Sequence, residues 1–189
     1  MSYGQITFIR NFGGSGIDIG NAVAPTQDGG YILVGSTNSY GAGNYDIYLL
    51  KTNAYGDSVW AKTFGDSLED IGNSVSQTAD GGYIIVGSTK NYGATNSDVY
   101  LIKTNANGDV TWTRRFDGTL NDMGRSVRQT SDGGYIIVGY TNNAGSYPDP
   151  QNVYLIKTDA SGNMVWYKTF GSTRKEDGYE VKQTADGGY

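Results

Sequence analysis

Apolar positions along the chain fall into short runs separated by Gly-, Asn- and Asp-rich punctuation, and no stretch carries a helical period. One stretch shows the pattern. Residues 73–78 read as a strand, and the turn Ala79-Asp80-Gly81-Gly82 reverses the chain, glycine supplying the positive φ. A second strand begins at Tyr83, and its run Tyr83, Ile84, Ile85, Val86 is continuously apolar, as suits a strand covered on both faces. Residues 98–103 form another near-continuous run. The hairpin at Asn105 to Asp109 leads from it into 110–116, where Trp112, Arg114 and Phe116 fall on one side by alternation.

This four-strand pattern recurs. Asp-Gly-Gly-Tyr stands at Asp28 to Tyr31, Asp80 to Tyr83, Asp132 to Tyr135 and Asp186 to Tyr189, at spacings of 52, 52 and 54. Trp60, Trp112 and Trp166 keep the same steps, as do Phe12, Phe64, Phe116 and Phe170. Four antiparallel strands in each period of about fifty residues predict an all-β chain, a β-propeller of four-stranded blades with about 3.6 blades in 189 residues. The single module divides into a strand d of a composite blade (1–16), three blades (17–68, 69–120, 121–174) and a strand a of an incomplete one (175–189). A blade with two apolar faces must stack on neighbours. The ring is therefore expected to be completed by self-association or within a longer protein, and the chain to be at least a dimer through its open blade edges.

The recurring DGGYIIVGST, D-x-Y-L-I-K-T and W-x-K-x-F-G elements resemble the propeller repeats of many secreted or surface proteins of bacteria and archaea, with kelch-like and quinoprotein-like relatives. The segment from Thr158 to Trp166 is similar to the tryptophan-docking hairpin of quinoprotein-type propellers, one residue shorter between Asp and Gly. The resemblance spans essentially the whole chain and implies an extracellular or cell-surface setting. It leaves function open, since propellers host enzymes, lectins and scaffolds alike.

Composition narrows the chemistry. With no Cys and no His, thiol chemistry, zinc and haem-type sites and histidine-based triads have no residues to run on. A net charge of -5 argues against nucleic acid, which needs a basic stripe. No apolar run approaches a membrane span. No cofactor is expected. The acidic loops could offer oxygens to calcium, but EF-hand spacing is missing and no metal is expected.

Positions kept in every repeat are read as packing. So is the basic residue between the two strand d aromatics (Arg10, Lys62, Arg114, Lys168), expected to stack on rings or pair with a strand c carboxylate such as Asp46 or Asp98. Variation concentrates in the loops between strands b and c and between d and a. These place Tyr40, Tyr45, Tyr92 and Tyr147, with Asp66 and Glu69, on one end of the module, a composition suited to recognition. On strand a, Arg125 and Arg128 replace smaller residues and could serve a ligand on the axis. The expected function is a non-catalytic scaffold or binding module for carbohydrate or protein. The alternatives are a carbohydrate-active hydrolase using Asp66, Glu69 and Asp70, whose carboxylates recur at Asp18, Asp122 and Asp177, or a structural spacer.

Overall fold

The computed structural model describes residues 8–90, 96–118, 120–142, 151–172 and 174–189. Twelve strands form three antiparallel four-stranded sheets, each a meander in chain order, and no helix occurs among the described residues. Sheet 1 holds β1 (Asp18–Pro25), β2 (Tyr31–Thr37), β3 (Asp46–Thr52) and β4 (Ser58–Phe64). Sheet 2 holds β5 (Asp70–Gln77), β6 (Tyr83–Lys90), β7 (Ser97–Thr104) and β8 (Val110–Phe116). Sheet 3 holds β9 (Asp122–Gln129), β10 (Tyr135–Asn142), β11 (Gln151–Thr158) and β12 (Met164–Phe170).

Alternation explains the continuous apolar runs. On β6, Tyr83 and Ile85 face sheet 1, where they join Ile32, Val34, Ile47 and Leu49, while Ile84 and Val86 face sheet 3 and join Val127, Tyr135 and Ile137. Both faces of the middle sheet are buried, so neither set of positions can be polar. At one point the backbones come too close for any side chain. A Cβ on Gly35, Gly87 or Gly139 would stand within 1.8 Å of the carbonyl oxygen of Ile19, Ile71 or Met123 on the paired strand, next to the irregular register of each first and second strand.

The Asp-Gly-Gly-Tyr turns share one construction. In the second, Asp80 Oδ1 accepts from the Thr78 hydroxyl at 2.5 Å and the Gly82 amide at 3.1 Å, and Gly81 takes φ 81°. The Lys103 ammonium, on a side chain only 6 % exposed, reaches Asp80 Oδ2 at 2.8 Å and donates to the Thr104 carbonyl at 2.9 Å. Lys51 with Asp28 and Lys157 with Asp132 repeat this clamp at 2.8 Å.

Between sheets the contacts also repeat. Gln77 Oε1 accepts the Gln27 amide, Gln129 the Ala79 amide and Gln183 the Ser131 amide, at 2.8 to 2.9 Å. Trp60 meets Tyr83, and Trp112 meets Tyr135, edge to face with centroids 5.8 Å apart.

Three complete sheets replace the expected count of about 3.6 blades, because the flanking segments form no strands. Residues 8–14 and 175–184 carry no strand assignment: a ladder needs a neighbour to exchange hydrogen bonds with. Their side chains nevertheless occupy repeat positions. Phe8 meets Tyr31 with centroids 6.1 Å apart, in the place where Trp60 meets Tyr83 at 5.8 Å, and Val181 packs on Ile136 and Val138 of sheet 3.

Candidate functional site

Strand alternation and repeat register decide where the expected ligand-facing residues stand. Tyr40 leaves β2 on the loop 38–45, its ring stacked on Tyr48 of β3 with centroids 5.9 Å apart and planes 23° apart. Its hydroxyl donates to the Gly13 carbonyl at 2.9 Å, which fixes the ring while 47 % of the residue stays exposed. Tyr40, Tyr48, Ala61, Lys62 and Thr63 line an open groove of about 370 Å³. Burial, then the neighbouring Tyr40 and Asp18, push the Tyr48 phenol above its ordinary range. Tyr48 was hidden among packing positions, because its equivalents Tyr100 and Tyr154 lie between sheets. Among the described residues no sheet covers that face of sheet 1, and Tyr48 there lines the groove.

Tyr45 points to a different place. Its carbonyl accepts the Asp70 amide at 2.7 Å, and it bridges to Glu69 in parallel fashion. The carboxylates nearby are engaged. Asp66 Oδ1 accepts the Leu68 amide at 2.9 Å, Asp70 Oδ2 accepts the Asp66 amide at 3.0 Å, and Glu69 pairs with Lys90 at 3.0 Å. Asp46 Oδ2 accepts the amides of Ala42 and Gly43 at 3.0 and 3.1 Å. A Cβ on Gly65 would stand 2.4 Å from Asp46 and 2.7 Å from Asp70, so these two buried carboxyls converge on one glycine. Burial raises the Asp70 carboxyl above its usual range, and Asp66 and Asp46 push the same way against the Thr89 and Asp66 hydrogen bonds.

The same strand position in sheet 3 is Asp122, fully buried, with neither oxygen in a hydrogen bond of good geometry. Desolvation pushes it up to about 6, against the Thr141 hydroxyl and the Gly118 amide. In the next repeat the position belongs to Glu176 and not to Asp177. The Glu176 amide donates to the Gln151 carbonyl as the Asp70 amide does to Tyr45, because the longer third repeat shifts the count. Asp177 instead takes Arg125, whose Nε and Nη2 donate to its Oδ2 at 3.2 and 3.0 Å, the guanidinium lying over Tyr140 and Tyr179 at 5.6 and 5.3 Å. Arg128 donates to the Val127 carbonyl at 3.0 Å and stands 3.8 Å from Glu180.

Of the eight expected residues, the six that the structure describes stand in three different places. Tyr40 belongs to a groove on sheet 1, Tyr45, Asp66 and Glu69 to the junction of sheets 1 and 2, and Arg125 and Arg128 to sheet 3. Tyr92 and Tyr147 lie outside the described residues. The strand d cations are also corrected in part. Arg10, Arg114 and Lys168 do stack on Phe8, Trp112 and Trp166. Where a carboxylate partner is seen, however, it is a turn residue of the following sheet: Arg10 pairs with Asp57 and Lys62 with Asp109, while Asp98 pairs with Arg115. Strand d overlies the next sheet's hairpin, which brings that turn closer than its own strand c. Among the described residues no three His, Cys, Asp or Glu side chains are grouped to hold a metal ion.

No family model matches the chain, and no curated protein matches it. Its fold is similar to that of a protein of unknown function from Bacteroides caccae, known from a crystal structure. The two are 12 % identical with a TM-score of 0.55, over 90 % of this chain and 51 % of that one. The chain therefore spans about half the length of that protein, and the likeness is one of fold alone.

Proposed function

We propose that the protein is a non-catalytic binding module on a propeller-type scaffold, in a secreted or cell-surface setting, and that its recognition surface is the groove beside Tyr40. The observation that carries this reading is the Tyr40 ring, half exposed yet held by Tyr48 and by the Gly13 carbonyl. A ring immobilised before binding loses little entropy when a ligand covers it. Sugar rings present the flat C–H faces that such a surface accepts, and the Thr63 hydroxyl at the groove offers a polar contact. The hydrolase reading has less support, since Asp66 and Glu69 spend their oxygens on a turn amide and on Lys90. Stacking of sheets with one repeated interface supports the propeller arrangement. The uncovered outer side of β1, where Val23 is 62 % exposed, supports self-association there.

A glycan array followed by calorimetry on the best hit tests the module. Binding is expected to fall at least about tenfold on Tyr40→Ala and to survive Asp66→Asn and Asp70→Asn. Sugar release that disappears in the two Asn variants would establish the hydrolase instead, and binding only to proteins would move the reading to a protein partner.

A further inference from the structure

Five buried side-chain oxygens among the described residues have no hydrogen bond of good geometry, and four of them stand at one end of sheet 3: both of Asp122, Oδ1 of Asn142 and Oδ1 of Asn152. The strand register brings them together. Thr141 of β10 pairs with Asp122 of β9 on one side and with Asn152 of β11 on the other. Residues directly opposite in an antiparallel ladder send their side chains to one face. Here it is the face that Tyr154, two residues on from Asn152, turns to sheet 2. Thr141, Asn142, Asn152 and Tyr154 line a cavity of about 330 Å³, bordered by Asp117 and Gly118 of the loop after β8. Asp122 lies directly behind that loop, since a Cβ on Gly118 would stand 2.1 Å from its Oδ2.

The other repeats satisfy these positions from within. Asp18 Oδ2 accepts the Gly14 amide and the Ser39 hydroxyl, both at 2.8 Å, and Asp70 Oδ2 accepts the Asp66 amide at 3.0 Å. Asp46, in the place of Asn152, accepts two amides, and Asp98 takes the Arg115 guanidinium at 2.8 Å. In sheet 3 the arginine position is Thr169. The Thr141 hydroxyl and the Gly118 amide stand beside Asp122 without a hydrogen bond of good geometry to it. A carboxylate at 0 % exposure needs a positive partner, and among the described residues no cation pairs with this one.

We infer that this end of sheet 3 is a calcium site, with Asp122 as its charged ligand and the Asn142 and Asn152 amide oxygens beside it. Carboxylate and amide oxygens, with no sulfur or ring nitrogen, are the donor set of a hard cation. Calcium accepts irregular arrangements and takes water in its remaining positions, whereas magnesium holds to a strict octahedron. Only one of the three side chains is acidic, so the place carries neither EF-hand spacing nor a group of three acidic residues. A single carboxylate also sets the affinity in the weak range of extracellular modules.

The test is a titration of calcium chloride, at about pH 8, into the full-length protein freed of metal by a chelator. Calorimetry is run beside terbium emission excited through tyrosine, Tyr154 being at the cavity wall. One ion per chain is expected, with a Kd of about 0.1–1 mM, terbium displaced by calcium, and a melting temperature raised by several degrees at saturation. Asp122→Asn should weaken binding at least about tenfold and remove the melting shift, although without calcium it is the more stable protein. Asn152→Asp adds a second carboxylate and should tighten binding about tenfold. Asp66→Asn, at the junction of sheets 1 and 2, should leave the affinity unchanged. No binding up to about 10 mM, or the same affinity in Asp122→Asn, would overturn the inference. So would equal weakening by Asp66→Asn, the mark of diffuse attraction to an acidic surface.

Discussion

At the scale of single residues, two carboxylates, Asp80 in a turn and Asp122 at the start of β9, respond to acid in opposite directions. Burial works to raise Asp80, but the Lys103 ammonium, the Thr78 hydroxyl and the Gly82 amide hold it at about 2. Its contribution is present above the unfolded carboxylate range and is lost as pH falls towards about 2. Asp122 is raised to about 6, so the fold favours its protonated form, and that stabilisation is full below about pH 4 and lost as pH rises through about 6. Asp122→Asn should therefore raise the melting temperature by several degrees at about pH 8 and by little at about pH 4, as thermal melts at the two values would record. At the lysine clamp, Asp80→Ala leaves an ammonium buried without its partner and should cost about 2 kcal/mol. Lys103→Met removes the charge with it and should cost less in matched denaturant titrations. The clamp was not foreseen from sequence, though its signal was present: a lysine ends the apolar run of every third strand, 23, 23 and 25 residues after the turn aspartate.

Elements were more legible than side-chain partners. The turn glycines and the continuous apolar run Tyr83 to Val86 placed β6 and its neighbours, with ends that moved by only a few residues, because such a run between two turns has few other ways to be buried. Partners crossing between sheets were less so, since they depend on how far one sheet slides over the next. That slide hands Lys62 to Asp109 in place of Asp46. The glycine at each crowded strand pair gives a test at this scale. Gly87→Ala would drive a methyl into the Ile71 carbonyl and should cost about 3 kcal/mol, whereas Gly20, with open space around it, should tolerate alanine at well under half that cost.

For the molecule as a whole, position in the stack decides what a residue is worth. Val23, Val75 and Val127 hold one repeat position with 62 %, 2 % and 0 % exposure. Valine to alanine should then cost about 1–3 kcal/mol at Val75 and Val127 and under about 0.5 kcal/mol at Val23, measured by chemical denaturation of the three variants side by side. The feature behind this, one mating surface used twice over, has a further consequence for refolding. The side of sheet 1 that accepts sheet 2 presents much the same relief as the side of sheet 2 that accepts sheet 3. During collapse, sheet 3 can therefore land on sheet 1 with the middle unit looped out, a trap stabilised by the native contacts themselves. Escape requires that mismatched dock to open, so recovery from denaturant should show a slow phase that shrinks when the two surfaces are made dissimilar by exchanging large and small core side chains.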